Sequence, residues 1–407
     1  MVSPVEKWVA EQTGLGAQLN PQTLSEWQHH RLKDALQYAR QNTVFYANRL
    51  EPNKPLNEQP FTLPADLAHS PLAFLAIPQT EVARVTTLAH SGTTSLRKRI
   101  FFSEGDLKRT RAFFTVGMSS MVSSGDRVHI LISNRTENSL GSLLHDSILS
   151  LGATARVFPT IRSVGEAVEA AQWAHCIVGM PAEILYLCRT APHLHPHSVL
   201  LAADIAPPSV VKGIRSTWQC PVYTHHGHTE FGYGFAVDCQ HHNGLHTRDA
   251  EVIVEVIDPI TNLPTEPNEL GEIVVTTLTN EAMPLVRYRT GNLTRPVVGP
   301  CGCGGTLHRL SGVEGRLWSN ITLSNGKTLN IFQLDEAIFS HSAIRGFNAT
   351  LIRGKSETLR LTIDAIQPVD LAQLKAELSL GIDVTIEPGN ADPFRRREKR
   401  RITEHLR

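Results

Sequence analysis

The chain has no apolar run approaching the ~20 residues needed to cross a bilayer. Its first residues, Met1-Val2-Ser3-Pro4-Val5-Glu6-Lys7-Trp8, lack the apolar core of a secretory signal. A cytoplasmic protein without a membrane partner is expected. Net charge is also missing: 39 Lys plus Arg balance 39 Asp plus Glu. No global field therefore favours nucleic acid or an anionic membrane. Six cysteines in 407 residues are too few for a disulfide scaffold. Internal repeats and low-complexity segments are absent.

What is present is length and an apolar content of 41%. The chain exceeds the ~250–300 residues at which single cores stop growing, so two or more domains are expected. Leu32, Leu36 and Ala39 mark one buried face of a helix over 24–49, and 53–70 reads as a loop with one short turn. From about 126 to 224, strand and helix patterns alternate. Strands are expected at 127–133, 155–157, 176–179 and 199–202. Helices are expected at 139–151, from Ser163 to Trp173, from Pro181, and at 208–218. That alternation predicts an α/β fold with a mostly parallel, helix-covered sheet. After 247 the pattern becomes β-rich, with strands at 251–257 and 271–277. Residues 318–407 read as a small α+β module.

Ligands on such sheets bind beyond the carboxyl ends of the strands. His225-His-Gly-His-Thr-Glu230 lies at one of these ends, after Pro221-Val-Tyr223. Glu230 offers a hard oxygen suited to Mg²⁺, and Thr229 a hydroxyl for a phosphate. The plainer reading is a helix start with an acidic first turn. Ser91-Gly-Thr-Thr94 supplies hydroxyls and backbone donors for phosphate, with Gly92 allowing close approach. Alone it would be an ordinary polar turn. Lys98 is a further phosphate partner, or one cation among several. Arg287-Tyr-Arg-Thr-Gly-Asn292 reads as a turn presenting Asn292 to ribose hydroxyls, or simply as a hairpin turn. Together these segments suit an enzyme that activates a carboxylic acid with ATP. Such catalysis consists mainly of positioning and charge stabilisation. Phe231, Tyr233 and Phe235 are either acid-pocket residues or core.

The chain resembles the phenylacetate–coenzyme A ligase branch of the adenylate-forming superfamily over roughly 25–400. The resemblance rests on Asn42-Thr-Val-Phe-Tyr46, Phe61-Thr-Leu-Pro-Ala-Asp-Leu67, the Ser91 loop, Ala202-Ala-Asp204, the Thr-Glu turn, Gly271-Glu-Ile-Val-Val-Thr-Thr-Leu278, Pro284-Leu-Val-Arg-Tyr-Arg-Thr-Gly291, Gly315-Arg316 and Asn330-Ile-Phe332. It implies a large N-terminal domain, 1–315, with a β-rich subdomain at about 247–315. A small mobile α+β domain, 316–407, would follow and turn about Arg316. It implies that Thr229 and Glu230 serve phosphate and magnesium. Ala203 and Asp204 would line the adenine site, with His226 and Gly227 beside it. It also implies transfer of an aryl or other bulky acid through an acyl adenylate to coenzyme A. Asn292 replaces the family's ribose-binding aspartate. Ser95-Leu-Arg97 and Leu317-Trp-Ser-Asn320 also depart from its pattern. The family's carboxylate-contacting lysine falls nearest Lys399, although gapless alignment places Glu398 there. The alternative for Arg395–Arg397 and Lys399–Arg401 is a solvated basic tail. Two rival functions stay open: an adenylating enzyme serving an acyl-carrier or reductase partner, and a degenerate nucleotide-binding scaffold. So does a homodimer.

Cys239-x6-His246 and Cys301-Gly-Cys303 supply a Cys₃His set for a structural tetrahedral zinc, with His241 and His242 as alternative ligands. The competing reading is three unlinked thiols.

Overall fold

The computed structural model describes every residue except 1, 17–18, 90–96, 135, 159–160, 162, 355, 396–398 and 407. The Ser91–Thr94 loop lies outside the described residues. The chain divides into two compact units. One comprises 1–121, 136–151 and 225–312; the other comprises 122–135, 152–224 and 313–407.

The second unit contains the parallel sheet. Its strands lie in the order Thr154–Val157, Arg127–Ile130, Cys176–Gly179, Ser198–Leu201, then the first residues of Val222–His226. The central strands Cys176–Gly179 and Ser198–Leu201 are short and fully buried, as strands covered on both faces are. Each intervening helix starts where local chemistry allows. Ser163 Oγ accepts the Glu166 N–H at 3.3 Å, and Pro181 and Pro208 occupy first turns where no N–H is needed. The strands at 176–179, 198–201 and 154–157 and the helices at 181–190 and 208–218 match the sequence reading. Residues 313–407 add a four-stranded sheet, ordered Asp383–Pro388, Thr358–Ala365, Ile344–Arg353, Thr403–Leu406. It shares a core with the helix Pro181–Thr190: Phe347, Leu359 and Leu361 cluster with Ile184 and Leu187. Arg189, 6% exposed, donates to Phe339 O at 2.7 Å and to Ile344 O, tying the helix to that sheet.

The first unit holds the helices Pro4–Thr13, Pro21–Asn42, Glu104–Met118 and Leu140–Ser150, and the hairpin Arg84–Ala89/Arg97–Phe102. It also holds the antiparallel meander Val252–Ile257, Gly271–Thr277, Tyr288–Thr294. The helix expected over 24–49 ends earlier, at Asn42, and the loop expected over 53–70 carries a helix, Pro64–His69. Asn292 is not in a turn. It lies in the strand Tyr288–Thr294, where Gly291 at φ +69° accompanies an irregular register opposite Glu272/Val274.

His129 is fully buried on Arg127–Ile130, and neither ring nitrogen has a hydrogen-bond partner among the described residues. Burial, aided by Arg156, pushes its pKa down to about 4. The unfolded chain then binds the extra proton first, so stability falls as pH drops from about 6.5 towards 4. The shift corresponds to roughly 3 kcal/mol. His129→Phe should flatten the melting-temperature profile across that window; an unchanged slope would refute this assignment.

Candidate active site

The strand Val222–His226 delivers the His-Gly-His-Thr-Glu segment into a tight bend ending in the 3-10 turn Thr229–Phe231. The bend closes on itself: Tyr233 N–H donates to His228 O at 2.7 Å, and Phe235 N–H to His226 O at 3.0 Å. Only glycine fits at 227, since a Cβ there would lie 1.5 Å from Tyr233 O. Tyr233 itself takes a left-handed φ of +63°, unusual for a bulky residue.

The bend presents Glu230, 3% exposed, to a set of donors. Oε1 receives Tyr288 Oη at 2.9 Å and the Lys98 ammonium; Oε2 receives His228 Nδ1 at 3.2 Å. Lys98 therefore sits on the acidic residue. Burial raises the Glu230 pKa, but Lys98 and His228 outweigh it and hold the carboxyl well below the usual range. Its stabilising contribution is present at every pH above the ordinary carboxylate value and is lost only in strong acid. Burial and the facing carboxylate raise Tyr288 well above a free phenol, so it stays a donor. Thr229 is half-buried, and its hydroxyl makes no hydrogen bond among the described residues.

Asn292, 6% exposed, joins this network from the bulged strand. Its Nδ2 lies 2.6 Å from His228 Nε2 and 3.2 Å from His226 Nε2. An amide has two N–H donors, so one group satisfies both imidazoles. His228 then accepts at Nε2 and donates from Nδ1, completing a relay from Asn292 to Glu230. An aspartate could not donate to two neutral imidazoles, which accounts for asparagine here. The acidic bend and the Arg-Asn segment are thus brought together. Sequence reasoning missed Tyr288 and His228 as partners, although both lie inside the motifs it singled out. Phe231 and Phe235 are fully buried against each other at 5.2 Å, as core.

In the second unit, Ala203 follows the strand Ser198–Leu201 at φ +69°, a strained value for alanine. Asp204 is gripped from two directions: Arg316 Nη2 at 2.9 Å and Arg400 N–H at 3.0 Å. The Arg400 guanidinium reaches Asp335 at 2.7 Å and lies over Phe347 and Phe339 at 4.2 and 5.1 Å. Burial raises the Asp335 carboxyl to about 6, against the pull of Arg400. Residue 400 is therefore docked rather than part of a solvated basic tail, and the exposed Lys399 precedes it directly. Asp204, Asp335 and Arg400 border a cavity of about 20 Å³, room for one water.

Cys239, His246, Cys301 and Cys303 also converge, all buried, with ligand atoms within 4.8 Å of one another. Cys239 Sγ to Cys301 Sγ is 3.6 Å, and Cys303 Sγ to His246 Nε2 is 3.7 Å. Zinc bonds of ~2.3 Å to sulfur and ~2.0 Å to nitrogen give tetrahedral edges of about 3.5–3.8 Å, so the donors fit that ion. Backbone N–H groups of His241 and Gly305 donate to Cys239 and Cys303 sulfurs at 3.4 and 3.3 Å. His242 instead holds Asp238 at 2.6 Å.

No family model matches the chain. It is 29% identical to the phenylacetate–coenzyme A ligase of Thermus thermophilus over 320 residues, 71% of this chain and 69% of that protein. It is 28% identical to that of Pseudomonas putida over 329 residues, covering 72% and 70%. A crystal structure of 2-hydroxyisobutyryl-CoA ligase in the postadenylation state, with an acyl-AMP bound, superposes with a TM-score of 0.78. The match covers 93% of this chain and 89% of that one at 19% identity, and so speaks to fold. In sequence the chain is thus similar to phenylacetate–coenzyme A ligases, and in fold to 2-hydroxyisobutyryl-CoA ligase.

Proposed function

We propose that this protein is an AMP-forming acid–coenzyme A ligase acting on an aryl or similarly bulky carboxylic acid. The acid carboxylate attacks the α-phosphorus of ATP, forming an acyl adenylate and releasing pyrophosphate. A thiolate, that of coenzyme A, then attacks the acyl carbon and AMP leaves. The observation that carries this reading is the buried Glu230 carboxylate, kept ionised and tied through His228 to Asn292. Glu230 would hold Mg²⁺, which neutralises phosphate charge when bound. Its oxygens already serve three donors, so Lys98 occupies the place that a metal-borne charge would take. Thr229, Lys98 and the Ser91-Gly92-Thr93-Thr94 hydroxyls and backbone would hold phosphates. Asn292 would hold the ribose, and Ala203, Asp204, His226 and Gly227 would surround the base. Arg316 would be the hinge of a mobile 316–407 module, and Lys399 would contact the reacting carboxylate. An acid-dependent pyrophosphate-exchange screen, followed by thioester detection, tests the reading. If no acid in a broad panel drives exchange, it fails. Leu317-Trp-Ser-Asn320, in place of an acidic hinge, motivates one alternative: an enzyme that passes its adenylate to a partner protein. Pyrophosphate release without thioester, with coenzyme A present, would favour that alternative.

Asn292→Asp should not improve the enzyme. It sets a carboxylate against two accepting imidazoles, and losing such buried bonds costs on the order of 1–3 kcal/mol. The KM for ATP is expected to rise about tenfold, the scale of that loss. An unchanged KM would reject the relay.

The Cys₃His cluster would hold a structural Zn²⁺, four protein ligands leaving no open position for catalysis. One zinc per chain at this cluster is expected. Chelation or Cys303→Ser should lower the melting temperature by several degrees. Identical melting with and without metal would dismiss the ion.

A further inference from the structure

A second cluster of metal-binding side chains lies at the opposite end of the parallel sheet from Asp204. The strands Arg127–Ile130, Cys176–Gly179 and Ser198–Leu201 are neighbours in that order. The residue directly before each one is Asp126, His175 and His197 respectively. Parallel register sets His175 beside His197 at the amino-terminal edge, and Asp126, one residue out of register because Val128 lies opposite Cys176, meets His175 through its side chain. Backbone bonds fix the row: His175 N–H donates to Arg127 O, and His197 N–H to His175 O, both at 2.7 Å. Asp126 is oriented as well, its Oδ2 accepting the Ser123 N–H at 2.8 Å while Oδ1 lies 2.9 Å from His175 Nδ1. The two imidazoles stack with centroids 4.6 Å apart and planes at 20°. All three donor atoms lie within 4.8 Å of one another.

We infer that Asp126, His175 and His197 form a binding site for a late first-row divalent cation, with zinc the ion best matched. Three atoms no farther apart than 4.8 Å can all be reached from a point about 2.8 Å away, against zinc bonds of about 2.0–2.2 Å. Small side-chain rotations close that gap, and His197 is exposed and free to make one. Two imidazoles and one carboxylate favour zinc, copper or nickel over magnesium or calcium. Both stacked imidazoles can ligate a cation as neutral rings. Three protein ligands leave a position for water, so the ion would be hydrated. It would staple the starts of three strands without touching the nucleotide side of the sheet.

The test is a zinc count on the full chain without a histidine tag, by equilibrium dialysis against Zn²⁺ alone and metal analysis. Wild type should bind one equivalent more than His197→Ala and than His175→Ala. Because the count is a difference, it does not depend on occupancy of the cysteine cluster. With Co²⁺, the extra equivalent should add weak d–d absorption without sulfur-to-cobalt charge transfer. The exposed His193 and His195 provide the control, and their double alanine variant should keep the extra equivalent. Equal binding by wild type and His197→Ala would overturn the site and leave Asp126–His175 as a simple ion pair. Loss of the equivalent in the His193/His195 variant would overturn it in favour of adventitious binding by the histidine-rich loop.

Discussion

Glu230→Gln should reduce acid-dependent pyrophosphate exchange by about three orders of magnitude, the scale on which preorganised charge acts in a dry site. The substitution keeps the shape and removes the charge. Its cost has two parts that must be separated. One is structural: Lys98, with a side chain 13% exposed, loses its anion, and breaking a buried pair typically costs about 3–5 kcal/mol. The other is chemical: the hard oxygen proposed for magnesium becomes an amide. Lys98→Met separates them, because it breaks the same pair and keeps the carboxylate, losing besides only the phosphate contact proposed for Lys98, which shows as a raised KM for ATP. If Glu230 serves the metal, Lys98→Met retains measurable exchange and needs less magnesium for half-maximal rate, since no ammonium competes. Glu230→Gln does neither. Equal loss in both variants, tracking their loss of thermal stability, would reduce Glu230 to half of a structural ion pair.

The residue types at this site were legible in the sequence; their partners were not. His-Gly-His-Thr-Glu announces a carboxylate and a hydroxyl beside a glycine bend. Lys98, Tyr288 and Asn292 approach from 132, 58 and 64 residues away along the chain. Nothing in local spacing encodes such meetings. The parallel strands were legible because buried β-branched runs, bounded by caps and first-turn prolines, have few other readings. The ten-residue strand Ile344–Arg353 escaped notice because Gly346 and Asn348 interrupt its alternation, and its register shifts between Ile344 and Gly346. The helix Glu104–Met118 was passed over although Ser103 and Asp106 form a capping box. Two glycines and β-branched Thr and Val weaken its intrinsic propensity. Its buried face, Leu107, Phe113 and Phe114, is decided by tertiary packing. Arg287–Asn292 reads as a turn, but Gly291 at φ +69° belongs to a bulged strand, which tolerates that conformation as well as a turn does.

The tail shows the same limit, and it yields the second large expectation. A run of arginines looks solvated until one of them is found docked on Asp335 and between two phenylalanines. Arg400→Ala should lower exchange about a hundredfold, the penalty for displacing a reacting group by roughly an ångström. The reasoning runs through the neighbouring residue: the Arg400 backbone N–H holds Asp204 while its side chain anchors the segment that carries Lys399. Lys399→Ala should therefore show a loss of similar size with little change in stability. Arg400→Ala also strands Asp335 as a buried acid, whose carboxyl burial already favours in its neutral form. Pairing Arg400→Met with Asp335→Leu removes that burden and should recover most of the lost stability, as apolar replacement of buried ion pairs often does. Activity should not follow, because the tail has lost its directional anchor. If the double variant regains both melting temperature and exchange, Arg400 matters only for packing, and the proposed placement of Lys399 is wrong. If it regains stability while exchange stays at the level of Lys399→Ala, the docked arginine is a positioning residue for the first half-reaction.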